Sequence, residues 1–231
     1  MSLQFTLLTL FPEMFPGSLG HSLSGKALDM GRWSYQTLNL RDFSTNKHGT
    51  VDDTPYGGGA GMVIRPDVVE GALRAAGPSD HAPVYLSPRG TPLSQKKVEE
   101  LSACQNITLL CGRYEGVDQR VLDAYDFEEI SVGDYVLSGG EPAAMILMDA
   151  CIRLLPGVMG NEETAGEESF SNGLLEYPHY TRPADWIDAQ DRVHSVPEIL
   201  TSGDHGKIRE WRHAKSLALT KARRPDLLKK P

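Results

Sequence analysis

Two apolar runs in this chain each break into a turn crowded with glycine, and that pairing narrows the folds open to it. The first is Ile107-Thr-Leu-Leu-Cys-Gly112-Arg-Tyr-Glu115-Gly116. The second is Ile130-Ser-Val-Gly133-Asp-Tyr-Val-Leu-Ser-Gly139-Gly140-Glu141, which runs on into an apolar helical stretch. Glycine carries no Cβ, so a ligand or another stretch of backbone can approach it closely. At the ends of neighbouring strands in an α/β sheet, two such turns form one crevice, the usual place for a small molecule in that class.

Leu3–Leu10, Thr37–Leu40, Val84–Ser87, Ile107–Cys111 and Phe127–Val132 read as strands: short, apolar or alternating, and bounded by Gly, Pro or polar residues. Helical runs fall between them at Pro66–Ala76, Ser94–Ala103 and Val117–Tyr125, with Ser94 as a helix start and Gly77-Pro78 as a stop. Alternation of this kind predicts a mostly parallel α/β sheet. Pro142 suits the first turn of a further helix, running to about Leu155 and stopping at Pro156-Gly157.

The segment from Gly160 to Gly173 holds Glu162, Glu163, Glu167 and Glu168 and, apart from Phe170, little that is apolar. It reads as a mobile loop or linker. A division follows into 1–159, a linker at 160–175 and a small α-helical unit at 176–231, where Ile208, Trp211, Lys215 and Leu219 recur near helical spacing. From Gly206 onward the chain carries +7, against −15 for residues 1–205 and −8 for the whole. A basic tail on an acidic body points to an anionic partner or to a solvated helix face.

The three cysteines, Cys104, Cys111 and Cys151, form no CxxC or Cys/His cluster, and read as buried reduced thiols of a cytoplasmic protein. The N-terminal run lacks a basic n-region and reads as a core strand, not a signal peptide. Pro142 to Met159 is interrupted by Asp149, Arg153 and Pro156, which excludes a membrane span. The histidines show no metal-ligand spacing, so no structural metal is expected. Gly20-His-Ser-Leu-Ser-Gly25-Lys26-Ala27 approaches a phosphate-binding loop but lacks the closing hydroxyl residue and a preceding strand. Tyr56-Gly-Gly-Gly-Ala-Gly61 is costly to order, and fits either a flexible turn or backbone passing close to nucleic acid or another subunit. Asp149 and Arg153, four apart on the apolar helix, suit a surface ion pair, or else Arg153 points into the crevice.

Five ordered blocks carry a resemblance. They are Val51-Asp-Asp-Thr-Pro-Tyr-Gly-Gly-Gly-Ala-Gly-Met62, Leu86-Ser-Pro-Arg-Gly90, Cys111-Gly-Arg-Tyr-Glu-Gly-Val-Asp118, Val132-Gly-Asp-Tyr-Val-Leu-Ser-Gly-Gly-Glu141 and Gly173-Leu-Leu-Glu-Tyr-Pro-His-Tyr-Thr-Arg-Pro183. Together they resemble the bacterial tRNA (guanine-37-N1) methyltransferase family of the SPOUT class. The resemblance implies an α/β domain with a deep trefoil knot, a homodimer with active sites between subunits, S-adenosylmethionine as methyl donor, and a helical C-terminal domain that holds tRNA. It implies a magnesium dependence as well, for which the sequence offers no ligand cluster. Carried over by position, Tyr85, Leu86, Ser87, Pro88, Gly112, Glu115, Val132, Gly133, Asp134, Tyr135, Val136, Leu137, Gly139 and Gly140 match the family's donor-binding loops. Arg153 matches its catalytic arginine, and Glu168 the position of its catalytic aspartate, with Glu167 as the reserve. Two departures accompany the match. Glutamate at 168 moves the carboxylate by one C–C bond, roughly 1.5 Å, and Gly140-Glu-Pro142-Ala143 places proline one residue earlier than the family does. Three other readings stand beside it: a SPOUT enzyme acting on another RNA, an RNA-binding homologue with weakened catalysis, and a nucleotide-binding enzyme built on Gly20–Ala27.

Overall fold

The computed structural model describes residues 2–159, 168–170 and 172–228. The expectations placed on 160–167, including the reserve role of Glu167, lie outside those residues. The chain divides into two compact units, Met1–Gly160 and Asn161–Pro231.

The first unit is built on five parallel strands: β1 (Leu3–Thr9), β2 (Trp33–Asn39), β5 (Val84–Pro92), β6 (Asn106–Cys111) and β7 (Glu128–Ser131), in the order β2-β1-β6-β5-β7. Two further strands, β3 (Asp52–Asp53) and β4 (Val63–Ile64), form a short antiparallel pair. Helices α1 (Ser22–Asp29), α3 (Gln95–Ser102) and α5 (Glu141–Ile152) cover one face of the sheet, and α2 (Pro66–Ala76) with α4 (Gln119–Ala124) covers the other. Inner strands are therefore buried on both sides, which is why β1 and β6 read as nearly unbroken apolar runs. Leu3, Phe5 and Leu7 pack with Leu147 and Met148 of α5, while Leu8 and Leu110 pack with Val68 and Val69 of α2.

Helix ends follow local chemistry. The Ser94 hydroxyl accepts the Lys97 N–H at 3.3 Å, and Asp118 accepts the Arg120 N–H at 3.0 Å, so both are N-caps. Pro142 sits in the first turn of α5. Gly25, in the loop that approaches a phosphate-binding motif, lies inside α1, where an added Cβ would meet the Gly20 carbonyl. It permits a tight turn into that helix.

Two strands exceed their sequence-based bounds. β2 starts at Trp33, because an edge strand alternates and only Trp33 is fully buried at that end. β5 continues past Pro88 to Pro92 through a bulge: Leu86 and Thr91 both pair with Ile130 of β7. Proline inside a strand hides it from a sequence reading, and here the bulge accommodates it.

In the second unit, α6 (His205–Arg223) is capped by Asp204, whose carboxylate accepts the Gly206 and Lys207 N–H groups, both at 3.1 Å. The Leu175 N–H donates to Thr220 Oγ1 at 2.8 Å, Arg212 lies over the Tyr177 ring, and Arg224 over Phe170. Residues 168–170 and 172–177 thus belong to the same unit as α6. The unit also carries a hairpin of β8 (Asp185–Ile187) and β9 (Val193–Ser195), so it is not helical alone. Every residue of those strands is exposed, leaving no buried alternation in the sequence to mark them.

At Gly90 the bulge of β5 passes so close to β7 that an added Cβ would lie 2.5 Å from Glu129 C and Ile130 N. Gly90→Ala is expected to destabilise the first unit by about 2 kcal/mol or more, the scale of overpacking against unyielding backbone. Urea unfolding checks this; a variant as stable as wild type would mean that the crossing has room to spare.

Candidate active site

β6 and β7 lie on opposite sides of β5, so the chain reverses its direction across the sheet at that strand. Crevices in open α/β sheets form outside the carboxyl ends of strands at such reversals. The loops leaving β6 and β7 there enclose, with the bulge of β5, a cavity of about 360 Å³, within the range of small-ligand sites.

Three segments make its walls: Tyr85–Arg89, Gly112–Val117 and Ile130–Gly140, closed below by Ala143 of α5. Thirteen of the fourteen residues matched to donor binding line this one cavity; Asp134 is exposed in the same loop and does not line it. The glycines supply the closeness. The Gly140 N–H donates to the Gly112 carbonyl at 2.8 Å, and a Cβ on Gly140 would sit 2.7 Å from Cys111 Cα. On Gly112 a Cβ would meet the Tyr85 ring at 2.9 Å. Gly133 has a φ of +152°, and a Cβ there would press on the Tyr135 ring at 2.5 Å.

Charge is held tightly around the cavity. Glu141, at the first turn of α5, is 0% exposed. One of its oxygens accepts the Thr9 hydroxyl at 2.7 Å; the other accepts Arg113 Nε at 2.9 Å and pairs with Arg113 Nη2 at 2.9 Å. Arg89 reaches Gln119 Oε1 and Glu129 Oε2, both at 3.1 Å, fastening the β5 bulge to α4 and β7. Burial raises the Tyr85 hydroxyl's pKa above its ordinary value, so it stays a neutral phenol at the cavity wall. Burial, followed by the Glu141 charge, pushes the Cys111 thiol well above its usual range.

The pair β3–β4 is stitched beside the cavity, with Glu115 N–H on the Met62 carbonyl and Ile64 N–H on the Gly116 carbonyl, each at 2.9 Å. Its connecting loop carries the glycine run. Gly61 lies against the Glu115 side chain, whereas Gly57, Gly58 and Gly59 face open space and Tyr56 is 98% exposed.

Arg153, the matched catalytic arginine, does not line this cavity. Arg153 is the C-cap of α5 and lines a separate concavity with Leu19, His21 and Met145. The twelve residues of α5 separate it from Gly140, so the two lie thirteen rises apart, roughly 20 Å at 1.5 Å per residue. Glu168 is half-buried in the second unit. Sequence reasoning passed over Arg89, Arg113 and Glu141, although each sits inside a quoted block. A carboxylate directly after Gly139-Gly140, at a helix start, was the available signal for the buried pair. Among the described residues, no group of three or more His, Cys, Asp or Glu is placed to hold a metal ion. No described helix is long and apolar enough to cross a membrane.

Residues 3–230 match the family model described as tRNA (Guanine-1)-methyltransferase TrmD. Curated relatives agree. A tRNA (guanine-N(1)-)-methyltransferase of Rhodospirillum rubrum is 60% identical over 227 residues, 98% of this chain and 93% of its own length. Proteins of the same name from Rhizobium etli and Agrobacterium fabrum are each 56% identical, covering 100% of this chain and 97% of theirs.

The thiols give a direct check on this packing. Burial lifts Cys151 to about 12, and Cys111 and Cys151 are both fully enclosed, while Cys104 is half-buried. Iodoacetamide near pH 8 is expected to modify Cys104 first and to reach the other two only on unfolding, as read by mass spectrometry. Labelling of Cys111 as fast as Cys104 would show that the cavity floor is open.

Proposed function

The chain belongs to the tRNA (guanine-1)-methyltransferase family, and from that premise we propose that it methylates N1 of guanine 37 in the tRNA anticodon loop, with S-adenosylmethionine as donor. Family membership makes the chain a methyltransferase of tRNA guanine N1; the donor, the position and the assembly are the finer part of this reading. The cavity above Gly112 and Gly140 is the observation that carries it.

The residues present suit an adenosyl ligand. Glycines at 112, 133, 139 and 140 let the walls fold tightly around the cavity, since a Cβ on any of them would meet protein atoms, and backbone N–H and C=O groups can read an adenine edge. Bound there, S-adenosylmethionine would supply an electrophilic methyl on a positively charged sulfur, which departs as a neutral thioether. The chain's own work is proton removal and charge stabilisation. The Glu168 carboxylate takes the N1 proton of guanine as general base, with reserve Glu167 outside the described residues. The fixed guanidinium of Arg153 stabilises the charge that develops on O6. An arginine roughly 20 Å down α5 from the cavity reaches that chemistry only if a second copy completes the site. We therefore read the active unit as a homodimer with shared sites. A trefoil knot belongs to the same reading, and the close crossings at Gly90 and Gly140 support it.

tRNA is held, in this reading, by the exposed cations of α6, among them Lys207, Arg209, Lys215, Lys221 and Arg223. Guanine 37 is turned outward at modest cost because it is already single-stranded. The open glycines at 57–59 beside the cavity rim face either this RNA or the second copy. Among the described residues no group of His, Cys, Asp or Glu is placed to hold magnesium. The reading also places the enzyme with tRNA in the cytoplasm.

Labelled donor incubated with transcripts bearing G or A at position 37 tests the site. Only the G transcript is expected to take up label, and its nucleoside digest to contain 1-methylguanosine; equal labelling of both would refute the position. At saturating donor, Glu168→Gln and Arg153→Ala are each expected to slow single turnover by about 10²-fold or more. Full rate in Glu168→Gln would move the base elsewhere.

A further inference from the structure

We propose that Arg113, in the cavity wall, is a positioning residue for the donor pocket, acting through Glu141 and the Ser138 carbonyl. The proposal rests on the donor-pocket reading above.

Arg113 springs from one wall of the cavity and fastens the other. Its Nη1 donates to the Ser138 carbonyl at 3.1 Å, while Nε and Nη2 engage the Glu141 carboxylate, each at 2.9 Å. Its guanidinium lies 4.3 Å from the centroid of the Phe11 ring, and Nη2 is 3.4 Å from Met14 Sδ. With the Thr9 hydroxyl on the far carboxylate oxygen, the ends of β1 and β6, the β7–α5 loop and the start of α5 meet at one ion pair. Gly139 is part of the device: a Cβ there would run into the Arg113 guanidinium. The arginine side chain is 17% exposed, and its donors point at protein acceptors.

Stability alone is a poor reason for this pair. Removing a fully buried carboxylate from water is costly, and an apolar pair of similar volume is often as stable. What an apolar pair lacks is direction. A planar fork that meets a carboxylate and a carbonyl together fixes Ser138, Gly139 and Gly140 against Gly112, and those residues line the pocket. Lysine, a point charge on a flexible stem, cannot hold both acceptors in one plane. Misplacement of a binding wall by about 1 Å can cost up to ~10²-fold.

The test measures S-adenosylhomocysteine affinity by calorimetry, the KM for donor and for tRNA, and thermal midpoints. The proteins are wild type, Arg113→Lys, Arg113→Met and the double variant Arg113→Met/Glu141→Leu. Arg113→Lys and Arg113→Met are expected to weaken S-adenosylhomocysteine and raise the donor KM by about tenfold or more, with the tRNA KM within about twofold. The double variant is expected to regain the wild-type midpoint and not the donor affinity. Should Arg113→Met fail to fold, Arg113→Lys and the double variant carry the comparison. Wild-type affinity in Arg113→Lys, or affinity that returns together with stability in the double variant, overturns the positioning role. A wild-type protein that binds no S-adenosylhomocysteine overturns the pocket reading itself, and the proposal with it.

Discussion

The hydrogen bond from the Gly140 N–H to the Gly112 carbonyl, 2.8 Å long, joins two loops that leave the sheet on opposite sides of β5. Most of what distinguishes this site depends on that contact. It brings the start of α5 against the end of β6, so close that neither glycine could carry a side chain without displacing backbone or the Tyr85 ring. It sets the cavity between the loops, and it leaves Glu141 buried where a carboxylate must find partners. A buried charge without a partner would shift its protonation or unfold the site; Thr9 and Arg113 supply the partners here.

From that contact the chemistry divides along the chain. The first unit builds a cavity with glycine, backbone amides and few free charges, suited to a flat heterocycle with a short polar tail. The second unit presents an exposed basic helix, suited to a phosphate backbone. Arg153 stands at the far end of the helix whose near end floors the cavity. One rigid helix therefore separates the place where a donor would sit from the arginine that would act on the acceptor. In the reading proposed above, a shared site between two copies would bridge that separation without bending the helix.

Much of the first unit was legible in the sequence because its rules are local. Ser94 and Pro142 mark helix starts by capping and ring geometry, and the runs at Leu3 and Ile107 mark buried parallel strands by unbroken apolar content. The pocket segments were legible through the glycine turns and the resemblance together. Legibility failed where long-range contacts decide. The bulge of β5 hides behind Pro88 and Pro92, and the hairpin at 185–195 has no buried face to betray it. Arg113 and Glu141 lie 28 residues apart; the carboxylate after Gly139-Gly140 marks one half of the pair, but nothing local names its partner.

A crystal structure of the protein grown with S-adenosylhomocysteine is the most direct measurement of the central claim. The account predicts one ligand per chain, its adenine between Tyr85–Pro88 and the Val132–Leu137 loop, its body over Gly112 and Gly140. A ligand seated in any other place, with this cavity left unfilled, would contradict it.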